Sequence, residues 1–309
     1  MVTGVRRLPG LDREEALPPI VSELFRHETI AWVQRFVGLG HPEWFWVVSE
    51  LGTPWGVVLV VALALLLWGR AEAYAVGGVV VVNALASLAL NVLFNVPRPN
   101  HPSIVRYEII EIGSFPSGHV LLALLLWGVL YVRGRVPLWV PAAVTVLVGV
   151  SRLYLGVHFL GDVLGSAVIG ALLLAVYGPA WRRLERWLAM RPFRDFVVVG
   201  MLGVAAIVIG LVAGVVGKGE YEREALGVVL GGVPALLLEY RFVRDAPARR
   251  PLGVAMVLAG IVPLALIHRL GDAHWAGLLL IAVAMLWSVL VGSVILRGVR
   301  GPVGVRASA

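Results

Sequence analysis

Tyr74 to Val96 reads YAVGGVVVVNALASLALNVLFNV, a run without one charged side chain. At 1.5 Å per residue, a helix of that length crosses the ~30 Å hydrocarbon core of a bilayer. The rest of the chain has the same character: 59% of its 309 residues are hydrophobic and 15% are charged, against about 25% charged in a soluble domain. A soluble globule does not fit that composition. The 36 glycines keep no three-residue period, which excludes a collagen-like chain, and a sequence this apolar does not stay disordered in water. With no cysteine, disulfide scaffolds, thiolate metal sites, iron–sulfur clusters and cysteine nucleophiles are excluded.

Outward from this run, eight further apolar stretches read as spans: 52–68, 117–132, 136–151, 159–177, 196–217, 225–239, 252–268 and 275–296. The fold class is therefore all-α, a polytopic integral membrane helix bundle. Glu28 to Glu50 carries an apolar stripe of Ile30, Val33 and Val37 beside Gln34 and Arg35, with Trp32, Trp44 and Trp46 suited to the headgroup boundary. It reads as an interfacial helix, with a tilted span as the alternative. Met1 to Glu28 holds Arg6, Arg7, Asp12, Arg13, Glu14 and Glu15 and no compact apolar segment, so no removable signal peptide is expected.

Charge sets the expected orientation. If the spans alternate, fifteen cations fall in the loops after the first, third, fifth, seventh and ninth spans, and six in the others: Arg98, Arg106, Arg152, Lys218, Arg223 and Arg269. Cytoplasmic loops carry the Lys and Arg excess, so the six-cation side should face outward from the cytoplasmic membrane. The formal charge of +7 is then topogenic. Its scattered arginines form no nucleic-acid face.

Polar residues gather at span ends on that outward side. Asn91, Arg98 and Pro99 leave the 74–96 run, Arg106 follows, and Pro116, Ser117, Gly118 and His119 open the next span. Ser151, Arg152, His158 and Asp162 stand between the fourth and fifth spans. Arg98 and Arg152 offer planar, permanently charged forks for phosphate oxygens, and the amides of Ser117, Gly118 and His119 open a helix whose dipole favours an anion. His158 and Asp162 are four residues apart, which on a helix puts them on one face. A carboxylate bonded to one ring nitrogen leaves the other free to attack, and His119 can protonate a leaving oxygen. One carboxylate is too few hard ligands for magnesium or calcium, so neither metal nor cofactor is expected.

PSGH at Pro116 to His119 and SRLYLGVHFLGD at Ser151 to Asp162 resemble the second and third signature motifs of the type 2 phosphatidic acid phosphatase superfamily. The third motif of that family is Ser-Arg, five residues, His, three residues, Asp, and the spacing here is the same. Its first motif is Lys, six residues, Arg-Pro; Arg98 and Pro99 fit it, while Asn91 stands where the lysine would. The resemblance covers about residues 28–178. It implies a six-helix membrane core and hydrolysis of a lipid phosphomonoester or polyprenyl diphosphate through a phosphohistidine. By the same resemblance His158 is the nucleophile, Asp162 its orienter, His119 the general acid, and Arg98, Ser117, Gly118 and Arg152 the phosphate binders. Asn91 and Arg106 are auxiliary candidates, with Arg106 placed to replace the missing cation and His101 a weaker substitute. A phosphotransferase using the same intermediate and a non-catalytic lipid-binding or transport protein are the alternatives.

The chain thus divides into an N-terminal segment at 1–50, a phosphatase core at 51–178, a basic interfacial linker at 179–195, and a C-terminal module of about four spans at 196–309. The linker carries Arg182, Arg183, Arg186, Arg191 and Arg194. In the module, Gly210 and Gly214, then Gly227 and Gly231, have the spacing of close helix packing, which offers a route to a homo-oligomer. Glu239, His268, Asp272 and His274 lie near span ends and read as snorkelling or loop residues. No internal repeat suggests an inverted-repeat transporter.

Overall fold

Short-range signals set the helix boundaries near the N-terminus. A computed structural model describes residues 23–110, 113–189, 200, 219–243, 250–270 and 274–297. The first two helices, α1 (His27–Val37) and α2 (Pro42–Ser49), are separated by Gly38 at φ +87° and by Pro42 in the first turn of α2. The single interfacial helix expected over Glu28 to Glu50 is thus two helices, because a left-handed glycine and a proline cannot continue an α-helical ladder. α3 (Pro54–Trp68) opens on Thr53, whose hydroxyl accepts the Trp55 amide at 3.2 Å, and on Pro54. The segments Pro42–Gly52 and Pro54–Trp68 meet at a bend of 54°.

Gly69, at φ +102°, then turns the chain into α4 (Arg70–Phe94). A loop leads to α5 (Gly118–Val132), followed by α6 (Trp139–Tyr154) and α7 (Leu160–Leu188). The C-terminal part supplies α8 (Gly219–Phe242), α9 (Arg250–Leu270) and α10 (His274–Met285), which runs through a π-helical segment (Leu286–Val291) into α11 (Gly292–Arg297). The described residues contain no β-strand. Among them Arg70–Phe94, Leu160–Leu188 and Leu279–Leu296 are long and apolar enough to cross a membrane, and the bent pair through α3 makes a fourth if its two arms are one span. α5 and α6 are apolar but only 15 and 16 residues long. The expected span at 196–217 lies outside the described residues save Gly200.

Packing on α7 places large apolar groups outside and mostly small or polar groups within. α7 exposes Leu164, Val168, Leu172 and Val176 at four-residue spacing and buries Gly161, Asp162, Ser166, Gly170, Leu174 and Gly178. A Cβ at Gly128 on α5 would strike Leu174 on α7, and one at Gly231 on α8 would strike the Ala282 backbone on α10, so these glycines set the helix spacing. One apolar core joins α3, α4 and α5 with α8, α9 and α10. A second, at the other end, joins Ile30 and Val33 of α1 to Tyr154, Leu155, Val157 and Phe159.

Two sequence expectations change. The basic stretch after Tyr177 is no separate linker as far as Leu188: Trp181 to Leu188 continue α7, with Pro179 inside the helix, and residues 190–195 lie outside the described part. Glu239 does not snorkel. It is fully buried and paired with Arg70, whose Nε lies 2.6 Å from Glu239 Oε2. Arg70 also donates to the Val243 carbonyl at 3.0 Å. A cation counted as topogenic is therefore the tie between α4 and α8. At the same end Glu72 is buried between Arg133 and Arg135, and Arg133 reaches Glu185 at 3.1 Å, linking α4, α5 and α7. The side chains of His268, Asp272 and His274, and residues Gly210 and Gly214, lie outside what is described.

Candidate active site

The site is built where two loops meet, one joining α4 to α5 and the other α6 to α7. Gly156 in the second loop has φ +71°, and a Cβ there would collide with the Val105 carbonyl of the first. Only glycine permits that approach. Gln34 of α1 locks the contact, donating to the carbonyls of Val105 at 2.7 Å and Tyr154 at 2.8 Å while its Oε1 accepts the Val105 amide at 2.9 Å.

This clamp brings Arg98 to His158. The Arg98 Nη1 donates to the Val157 carbonyl at 2.8 Å and lies 3.2 Å from His158 Nε2, while Nη2 donates to the Gly113 carbonyl at 3.2 Å. Burial, and then the neighbouring Arg152, lower the Arg98 guanidinium to about 10, so it stays cationic at neutral pH. Burial also holds the His158 imidazole well below its ordinary value, helped by Arg98 and Arg152. The ring is therefore neutral at pH 7, with a lone pair to give.

His158 does not share a helix face with Asp162 as the spacing suggested, because α7 begins only at Leu160 and His158 precedes its N-cap, Phe159. Asp162 instead closes the helix start: its Oδ2 accepts the Phe159 amide at 2.8 Å, and its Oδ1 accepts the Ser114 hydroxyl at 3.3 Å. The same carboxylate sits 3.5 Å from His158 Nδ1, a ring nitrogen without a hydrogen-bond partner.

The two motifs are also joined below this pair. Ser166 on α7 accepts the Ser117 amide at 2.8 Å and donates to the Asp162 carbonyl at 2.6 Å. The expected cradle of three amides thus loses one, since the Ser117 N–H is already taken. Its buried hydroxyl has no partner and remains a donor. His119 is buried in the first turn of α5, its carbonyl pressed against Gly52.

Arg152 is buried at the end of α6. Its Nη2 donates to Glu108 at 2.7 Å and its Nη1 to the Ser49 hydroxyl at 3.1 Å, and that hydroxyl lies 2.8 Å from Ser151 Oγ. Asn91, in the last turn of α4, donates to the Ser87 carbonyl at 2.9 Å and the Pro116 carbonyl at 3.4 Å, which places it against the PSGH turn. Arg106 lies beside Gly156, and its charge acts on Arg98. His101 pairs with Ser103 at 2.8 Å and stacks on His27, its ring exposed in the loop.

Gln34, Ser49, Glu108, Ser114 and Ser166 are participants that no motif in the sequence marks. Among the described residues no group of three or more His, Asp and Glu side chains is placed to hold a metal ion.

The sequence that builds this site has relatives. The sphingosine-1-phosphate phosphatase 2 of Mus musculus is 35% identical over 99 residues, which are 29% of this chain and 28% of that protein. The sphingosine-1-phosphate phosphatase 2 of Homo sapiens is 36% identical over 100 residues, 29% and 25% of the respective lengths. The phosphatidylglycerophosphatase B of Bacillus subtilis (strain 168) is 39% identical over 71 residues, 19% of this chain and 35% of that protein. The matched segments thus span about a quarter to a third of these curated relatives. No solved structure matches the chain. The model of the PAP2 superfamily matches residues 71–185, from α4 to the end of α7. That interval holds every site residue from Asn91 to Asp162, and over it the chain is similar to the PAP2 superfamily.

Proposed function

We propose that the chain is a multi-pass membrane lipid phosphatase that hydrolyses a lipid phosphate through a phosphohistidine at the extracytoplasmic face of the cytoplasmic membrane. The observation that carries this reading is the position of His158: its Nε2 lies 3.2 Å from the Arg98 guanidinium, and the Asp162 carboxylate lies 3.5 Å from Nδ1. An attacking nitrogen, a permanent cation for the phosphoryl oxygens and a carboxylate for the developing imidazolium are thus in one line of contact.

In the first step His158 Nε2 forms a bond to phosphorus as the bond from phosphorus to the lipid oxygen breaks, and His119, having taken a proton from the entering phosphate monoanion, gives it to that oxygen. Water then attacks phosphorus, His119 takes back a proton, and inorganic phosphate leaves as the P–N bond breaks. Arg98, Arg152, the Ser117 hydroxyl and the Gly118 amide neutralise the equatorial oxygens, with Asn91 and Arg106 at the margin. The chemistry requires no metal, because the arginines supply the charge. A six-helix core ending near residue 178, followed by a C-terminal module of about four spans, is the architecture that accompanies this reading.

The names of the relatives support a lipid phosphomonoester as substrate, since both sphingosine-1-phosphate and phosphatidylglycerophosphate present one. The test is phosphate release by the purified full chain. His158→Ala should abolish it while vanadate binding persists, and turnover should survive EDTA. Wild-type activity in purified His158→Ala would overturn the mechanism.

A further inference from the structure

Arg152 is 1% exposed, and its guanidinium can be accounted for hydrogen by hydrogen. The group carries five N–H bonds in a fixed plane, two on each Nη and one on Nε. Glu108 takes the outer end of that plane, Oε2 accepting from Nη2 at 2.7 Å and Oε1 from Nη1 at 3.4 Å. The Ser49 hydroxyl takes the second Nη1 hydrogen at 3.1 Å. The direction of that hydroxyl follows from its neighbours. Ser151 Oγ donates to the Val148 carbonyl at 2.7 Å, so the 2.8 Å contact between the two serines is a donation from Ser49. Ser49 therefore accepts from Arg152 and passes its own proton onward.

What remains is one edge of the plane, formed by the Nε hydrogen and the second Nη2 hydrogen. Nε is buried without a hydrogen-bond partner. An unpaired buried N–H is costly, and two parallel donors on one edge are the fork that a phosphate takes bidentately. The segment carrying Glu108 is itself anchored: Tyr107 gives its amide to the Leu155 carbonyl at 3.1 Å and its hydroxyl to the Leu39 carbonyl at 2.7 Å, and its ring stacks on Tyr154. Arg152 and Arg98 meet on one residue, since the Val157 amide bonds the Arg152 carbonyl at 3.3 Å and the Val157 carbonyl accepts Arg98 Nη1 at 2.8 Å.

We propose that Arg152 receives the substrate phosphate on its Nε–Nη2 edge, and that Glu108 and Ser49 are positioning residues that hold the guanidinium by its other N–H groups so that this edge is presented. Glu108 is then no competitor of the phosphate, because the two anions use different edges of one cation. The inference rests on the phosphatase reading for the phosphate itself. It adds two residues outside the signature motifs that set how Arg152 grips it.

The experiment is a double-mutant cycle read as vanadate affinity of the purified full-length chain. Glu108→Gln should weaken vanadate about tenfold when Arg152 is present and less than about twofold in the Arg152→Met background, where Arg98 still holds the anion. Ser49→Ala, which removes only a hydroxyl, should weaken it about threefold with the same dependence on Arg152. In chain isotopically labelled at the arginine nitrogens, the Nε–H resonance that Arg152→Met deletes should shift when vanadate binds. Tighter binding in Glu108→Gln, a loss of equal size without Arg152, or an Nε–H resonance that vanadate leaves in place would each overturn the proposal. Coupling and shift intact in a chain that releases no phosphate from any lipid phosphate would instead overturn the phosphatase reading and leave the edge as an anion site.

Discussion

Arg98 bears on both partners of the proposed reaction. Its guanidinium can hold a phosphoryl oxygen, and its charge keeps the nearby imidazole of His158 deprotonated, adding to the effect of burial. The sign of the pH dependence follows. A depressed pKa leaves His158 neutral below its usual titration range, so the acid limb of kcat/KM should lie below pH ~6.5. Arg98→Met removes one depressing charge, and the acid limb should move to higher pH while the rate falls; an unmoved limb would show that the limb does not report His158. The motifs made this residue set legible, because PSGH and the Ser-Arg, His and Asp spacing lie within short stretches of chain. Ser49, Glu108 and Gln34 were not legible in the same way. Gln34 meets Tyr154 across 120 positions and Arg152 meets Ser49 across 103, and no local pattern in the sequence announces a hydrogen bond between residues so distant.

Among the elements, the bend between α2 and α3 has the most direct bearing on the site. Gly52 sits at that bend with no room for a Cβ, which would collide with the His119 carbonyl in the first turn of α5. Gly52→Ala must push α5 away or unwind the bend, and either shift moves His119. Activity should fall by about tenfold or more, since a misplacement of ~1 Å can cost 10²-fold, and the thermal midpoint should fall with it; an unchanged kcat would show that α5 relaxes freely. Helix type and approximate position were readable here from apolar runs. The boundaries that failed did so for identifiable reasons: Gly38 and Pro42 split one expected helix into α1 and α2, and the arginines after Tyr177 are compatible with a helix that simply continues beyond the apolar layer.

In the whole molecule, the pair of Arg70 and Glu239 fastens the C-terminal helices to α4. Both side chains are buried, and the arginine also reaches backbone carbonyls at the end of α8. Glu239→Ala strands a buried cation and should cost about 3–5 kcal/mol, whereas replacing both partners with leucine should cost much less; unfolding of the purified chain in detergent distinguishes the two. Hydropathy alone puts these residues in loops and at span ends, because it reports depth, not which helix lies alongside. Sidedness is open to a direct test in a chain without cysteine. Ser103→Cys should react with an impermeant reagent in intact cells and Ala189→Cys should not, with the opposite pattern reversing the arginine-based orientation. The short helices carry a last consequence. At 15 and 16 residues, α5 and α6 reach about 22–24 Å, less than the ~30 Å of an average hydrocarbon core. Hydrophobic mismatch of this size draws the surrounding leaflet inward, so the dimple around the protein would bring phosphate groups down to Arg98 and make bilayer thickness itself a control on the proposed turnover.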